Sequence, residues 1–168
     1  MILDVESVGL HGEGFAVGWT IVNDGVEIAS AQYGCAPDLA AGAESDRQWV
    51  KDNCHTVVNC VSPRHVRDEF WRAWEYAKAQ GAHLLADCAW PVEARFLSAC
   101  VDDFPAERCW KGPYPLLDLA PIVHALGGNP AATQLREPNE LPAHNPLADA
   151  RQSSRLFIEA IKILSGAN

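Results

Sequence analysis

The tripeptide Asn23-Asp24-Gly25 separates two apolar, β-prone stretches, Phe15 to Val22 and Val26 to Tyr33. Asp-Gly steps adopt the positive φ of a tight hairpin, so this signal commits the region to two antiparallel strands. Residues 1 to 6 read as a third strand ahead of them, set off by Gly9, Gly12 and Gly14, and the chain opens as a three-stranded meander. A sheet begun in this way must cover its apolar faces with other elements.

The remaining sequence supplies those elements. Between Pro63 and Gly81, Val66, Phe70, Trp74 and Ala77 recur at helical spacing. His83 to Cys88 reads as a short apolar strand, followed by Pro91 and a helical face of Val92, Phe96, Leu97 and Cys100. Pro115 to Leu119 suggests a fifth strand, and Pro121 to Leu126 a brief helix that Gly127-Gly128-Asn129-Pro130 ends. The last helix starts with Asn145 as N-cap and Pro146 at its first position, with an apolar face of Leu147, Ala150, Ser154, Phe157, Ile161 and Leu164. The fold class expected is α/β, one mixed five-stranded sheet flanked by helices, with all 168 residues in a single domain.

Composition narrows the function classes. No segment reaches membrane-spanning length and the N-terminus carries carboxylates where a signal peptide needs basic residues, so no membrane partner and a cytoplasmic location are expected. The six cysteines form no CxxC pair and fall in apolar stretches, as buried free thiols would. A net charge of -9 disfavours a broad basic surface for duplex nucleic acid. A substrate gripped locally at one chain end remains compatible with it.

Two patterns carry chemistry. Asp4 and Glu6 lie two apart in a strand otherwise made of Ile2, Leu3 and Val5, so both carboxylates project from one face. Such carboxylates are costly unless paired or metal-bound, and Mg²⁺ or Mn²⁺ take carboxylate oxygen ligands. At the other end, His144 precedes the last helix and Asp149 lies in its first turn. The helix fixes the aspartate, while a histidine between Pro142 and Pro146 is expected to swing toward an attacking water. Taken singly, each pattern also fits solvated acids and a loop histidine.

Asp4-Val5-Glu6-Ser7-Val8-Gly9-Leu10 resembles the D-x-E-x-x-G-L opening of the DEDDh 3′-to-5′ exonucleases, and His144-x4-Asp149-Ala150 resembles their closing motif, in the family's order. The similarity is to ribonuclease T, oligoribonuclease and small bacterial 3′-to-5′ exoribonucleases, over essentially the whole chain. It implies a ribonuclease-H-like fold and two ions, Mg²⁺ or Mn²⁺, per site. It also implies release of nucleoside 5′-monophosphates from the 3′ ends of single-stranded RNA or DNA, with RNA favoured, and a homodimer. By the same resemblance Asp4 would bridge both ions, Glu6 and Asp149 would hold the first, and His144 would act as general base. The middle motif departs from the family: Ala86-Asp87-Cys88-Ala89-Trp90-Pro91-Val92-Glu93-Ala94-Arg95-Phe96-Leu97 places Glu93 in the helix register where an aspartate is expected, and Asp87 at the strand end. Asp87 is preferred narrowly, and Glu93 stays as the alternative.

The resemblance gives Val8, Gly9 and Leu10 to the terminal nucleotide, and Trp90 could stack on a base. The other five tryptophans are assigned to the core or its rim, Asp102-Asp103 to a solvated helix end, and Asp118 and the remaining histidines to no metal site. Two other classes compete: a nucleic-acid-binding or interaction domain that kept the fold without the chemistry, and an unrelated metal-dependent phosphoesterase lacking strand directionality.

Overall fold

A computed structural model of the chain describes residues 1–130 and 135–166. The hairpin at Asp24-Gly25 joins β2 (Gly14–Asn23) to β3 (Val26–Gly34), and Asp24 and Gly25 both take the positive φ that the turn requires. β1 (Ile2–Ser7) pairs antiparallel with β2, and β4 (Leu84–Ala86) pairs parallel with β1, followed by β5 (Leu116–Asp118) parallel to β4. The sheet order is β3-β2-β1-β4-β5, with β2 alone running against the others. This is an α/β fold with a mixed five-stranded sheet flanked by helices, consistent with a ribonuclease-H-like arrangement.

Strand alternation splits the interior in two. Met1, Leu3 and Val5 enter the larger core, where α2 (Pro63–Ala79) and α3 (Ala94–Asp103) contribute Val66, Phe70, Trp74, Phe96, Leu97 and Cys100. Ile2 points to the other face and packs with Leu85, Leu119 and Leu156 beneath α6 (Pro146–Ser165). Asp4 and Glu6 continue the row that Ile2 begins, so they share the face that α6 covers.

Gly18 sets how closely α6 approaches. It is the β2 partner of Asp4, and a Cβ at this position would collide with the backbone of Pro146 and Leu147. The glycine thus lets the first turn of α6 lie directly on the sheet beside Asp4. The helix starts as its sequence indicates, with the Asn145 side chain accepting from the Ala148 amide at 3.0 Å and Pro146 in the first position. Its buried face differs from the expected one. Ala150 and Ser154 are buried as expected and are joined by Ala148, Gln152 and Ser153, but Ile161 and Leu164 at the far end of the helix are exposed.

A buried arginine ties the β1–β2 loop to the helices. Arg67 of α2 donates to both oxygens of Asp103 at 2.6 and 3.1 Å and to Glu13 at 2.8 Å, so Asp103 is a half-buried ion-pair partner, while its neighbour Asp102 is exposed as expected of a solvated helix end. Glu13 in turn accepts from the Ala41 amide at 3.0 Å. A bidentate pair of this kind resists disruption because removing one partner strands the other charge.

Other expectations also need correction. The sequence reading contained no counterpart of α1 (Glu44–Asn53), in which only Val50 is buried. A single buried residue leaves no apolar stripe to read. The fifth strand is shorter than expected, and Leu119 opens α5 (Leu119–Ala125), with Asp118 capping it. Three cysteines are buried, but Cys88 and Cys109 are exposed. Of the tryptophans assigned to the core or its rim, Trp110 is almost wholly exposed and Trp49 half exposed. Among the described residues no helix is long and apolar enough to cross a membrane.

Gly18→Ala is expected to destabilise the protein by about 1–3 kcal/mol, because the added methyl must push α6 off the sheet. Denaturant unfolding of the variant measures this. Gly112→Ala, which like Gly18 lacks a positive φ and whose Cβ would make only an ordinary contact with Val101 at 3.9 Å, separates the collision from the general effect of adding a methyl.

Candidate metal centre

Carboxylates from four separate segments converge at one end of β1. Asp4 and Glu6 come from the strand, and Asp149 comes from the first turn of α6 through the close approach at Gly18. Asp87 follows β4, whose Ala86 pairs with Leu3, so it extends the register beside Asp4. Glu93 ends the irregular turn Ala89–Glu93 that leads into α3. Glu6, Glu93 and Asp149 are buried, while Asp4 and Asp87 are half-buried.

Burial and mutual repulsion leave these acids reluctant to ionise. Asp4 is held well above the ordinary carboxylate range, first by desolvation and then by the charges of Glu6, Asp149, Glu93 and Asp87. Desolvation pushes Glu6 up to about 7 and Glu93 up to about 8. Asp87 rises to about 6, through burial and then the charges of Asp149 and Asp118. Asp149 is raised by burial even though Arg136 bonds to it.

Donor atoms of Glu6, His144 and Asp149, one from each, lie within 4.8 Å of one another. The carboxylate oxygens suit a hard divalent cation, with the imidazole beside them, and the desolvated acids gain most from such a charge. The group is therefore a candidate site for a divalent cation. Asp4 lies outside that three-residue group but within the electrostatic reach of every other acid here. Both middle-motif candidates act on Asp4, Glu93 more strongly than Asp87.

His144 is less free than expected. Its backbone takes the left-handed φ of 58°, which costs roughly 1 kcal/mol or more for a residue with a side chain. Three bonds hold it there. Its amide donates to Asp149 Oδ2 at 3.0 Å, its carbonyl accepts from the His55 amide at 2.7 Å, and Asn145 Nδ2 donates to the His55 carbonyl at 2.6 Å. The exposed imidazole meets the Trp49 ring edge-on, with centroids 5.2 Å apart. Its flanking prolines thus border a pinned backbone, and only the ring is placed to move.

The residues assigned to a nucleotide divide. Leu10 and Trp90 are largely exposed, whereas Val8 is buried in the main core and can offer only its backbone. Gly9, with φ of 73°, turns the chain between them, and its carbonyl accepts from Ser7 Oγ at 2.8 Å.

Three participants escaped the sequence reading. Cys54 donates its thiol to Glu6 at 3.3 Å, and burial together with the neighbouring acids raises its pKa. Trp49 buttresses His144 from the unread helix α1. Arg136 forms an ion pair with Asp149 and lowers the pKa values of Glu6, Asp87 and Asp149. Gly18, a fourth, left a trace in the sequence as an isolated glycine inside an apolar strand. No protein-family model matches the chain, and a search of curated proteins found no match.

Because the folded-state pKa values of Glu6, Asp87 and Glu93 lie above their ordinary ones, the native state keeps protons that the unfolded chain has released. That stabilisation is complete below the ordinary carboxylate range and is lost progressively as pH rises from there through about 6 to about 8. Without divalent cations, the melting temperature is therefore expected to be lower at about pH 8.5 than at about pH 6, by on the order of 5 °C. Asp4→Asn, which removes one of the repelling charges, is expected to narrow the difference. A melting temperature that rises over this interval contradicts the assignment.

Proposed function

We propose that this protein is a divalent-metal-dependent 3′-to-5′ exonuclease that shortens single-stranded RNA or DNA and releases nucleoside 5′-monophosphates. The observation carrying this reading is the convergence of Asp4 and Glu6 of β1 with Asp149 of α6, alongside His144, on one desolvated site. Two cations held by Asp4, Glu6 and Asp149, with Asp87 or Glu93, would supply the charge that stabilises the attacking and leaving oxygens of an in-line displacement.

The chain's own residues account for the other requirements. Asp149 carries both a carboxylate for the site and the bond that fixes the His144 backbone, so one residue sets the relation between site and base. His144, exposed and backed by Trp49, is placed to take a proton from an attacking water. Trp90 and Leu10, both exposed, offer apolar surface to unpaired bases. The net charge of -9 suits capture of a strand end rather than a long duplex. Six cysteines without a disulfide among them accord with a reducing cytoplasm.

A second reading, a nucleic-acid-binding or interaction domain that has lost the chemistry, gains support from the Arg136–Asp149 ion pair, because a resident guanidinium could stand permanently in place of a cation.

A single-stranded RNA and its DNA equivalent, each 5′-labelled, distinguish the two. The wild type is expected to produce a ladder shortening from the 3′ end with Mg²⁺ or Mn²⁺ and none in EDTA. Asp4→Ala, Asp149→Ala and His144→Ala are each expected to reduce the rate by about 10²-fold or more. Parallel Asp87→Ala and Glu93→Ala variants identify the middle ligand by which loses more activity. Binding of the strand without any shortening favours the second reading.

A further inference from the structure

Both oxygens of Asp149 are engaged. Oδ2 accepts from the His144 amide at 3.0 Å, and Oδ1 is paired with Arg136 Nη1. The two donors differ in kind. The amide belongs to a pinned backbone, whereas the guanidinium ends a long side chain that is one-fifth exposed. A divalent cation on Asp149 would repel the guanidinium at close range, so the arginine is the partner that must leave.

The backbone beneath Arg136 is anchored, which limits where the side chain can go. Glu140 is buried and bound by Arg155 of α6 at 2.7 and 2.9 Å, and Arg155 also donates to the Leu135 carbonyl at 2.9 Å. Arg136 donates in addition to the Glu140 carbonyl at 2.9 Å. The side chain thus reaches Asp149 from a backbone held in place on either side. Its planar fork matches the paired oxygens of a phosphate as well as those of a carboxylate.

We propose that Arg136 is a substrate-binding residue that exchanges partners, leaving Asp149 as divalent cations bind there and engaging a non-bridging oxygen of the strand's terminal phosphodiester. The proposal rests on the exonuclease reading and adds a residue that the DEDDh resemblance does not supply. It assigns one guanidinium two partners: before cations load it shields the carboxylates, and afterwards it grips the phosphate. Cation binding and substrate binding are coupled through it, since the ion that binds Asp149 releases the guanidinium for the phosphate.

Two titrations of wild type, Arg136→Gln and Arg136→Lys test this, with thermal melts confirming that each protein is folded. In the first, free Mn²⁺ is followed by its paramagnetic resonance signal without nucleic acid. Arg136→Gln is expected to bind Mn²⁺ about tenfold more tightly than wild type, because the competing charge is gone. In the second, at saturating Mn²⁺, a fluorescent oligonucleotide with a phosphorothioate 3′ linkage is followed by anisotropy. Arg136→Gln is expected to bind it about tenfold more weakly, and Arg136→Lys, which keeps the charge without the fork, to fall between. Equal Mn²⁺ affinities in wild type and Arg136→Gln overturn the exchange alone, and unchanged oligonucleotide affinity overturns the phosphate contact. No Mn²⁺ uptake by any of the three overturns the exonuclease reading and the exchange together.

Discussion

The first turn of α6 rests on β2 at Gly18, directly across the ladder from Asp4, and the candidate site depends on that contact. Without it Asp149 would stand away from the strand that carries Asp4 and Glu6. With it, acids from distant parts of the chain are pressed into a partly dry space where each raises the proton affinity of its neighbours. Such crowding opposes folding at neutral pH. It is the kind of local conflict that a sequence retains where function requires it.

The surrounding structure offsets the conflict in several ways. Arg67 fastens the β1–β2 loop to α2 and α3 through Glu13 and Asp103, holding the end of β1 in place. Cys54 and Arg136 each stabilise a charged acid of the cluster. The left-handed backbone of His144 is held by Asp149 itself, so the strained residue and the crowded carboxylate share one bond. Loss of Asp149 would thus release His144 as well as remove a ligand.

Legibility in the sequence followed the range of the interactions involved. The carboxylate pair in β1, the hairpin at Asp24-Gly25 and the Asn145-Pro146 start of α6 rest on local rules of alternation, turn geometry and capping, and each was readable. The parallel pairing of β4 with β1 brought Asp87 beside Asp4, and the irregular turn Ala89–Glu93 brought Glu93 there as well, so the structure retains both middle-motif candidates. What could not be read depends on tertiary contacts. Arg136 lies in a stretch with no periodicity and is positioned by the buried Glu140–Arg155 pair, Trp49 belongs to a helix with one buried residue, and Cys54 resembles any other isolated cysteine.

The central claim is that the acids of β1 and α6 form a two-cation site. Anomalous diffraction from crystals grown with Mn²⁺ tests it most directly. Two manganese peaks are expected about 3.5–4 Å apart, within bonding distance of Asp4, Glu6 and Asp149, with Asp87 or Glu93 completing the shell. Crystals saturated with Mn²⁺ that show no peak between β1 and α6, with Arg136 still paired to Asp149, would contradict it.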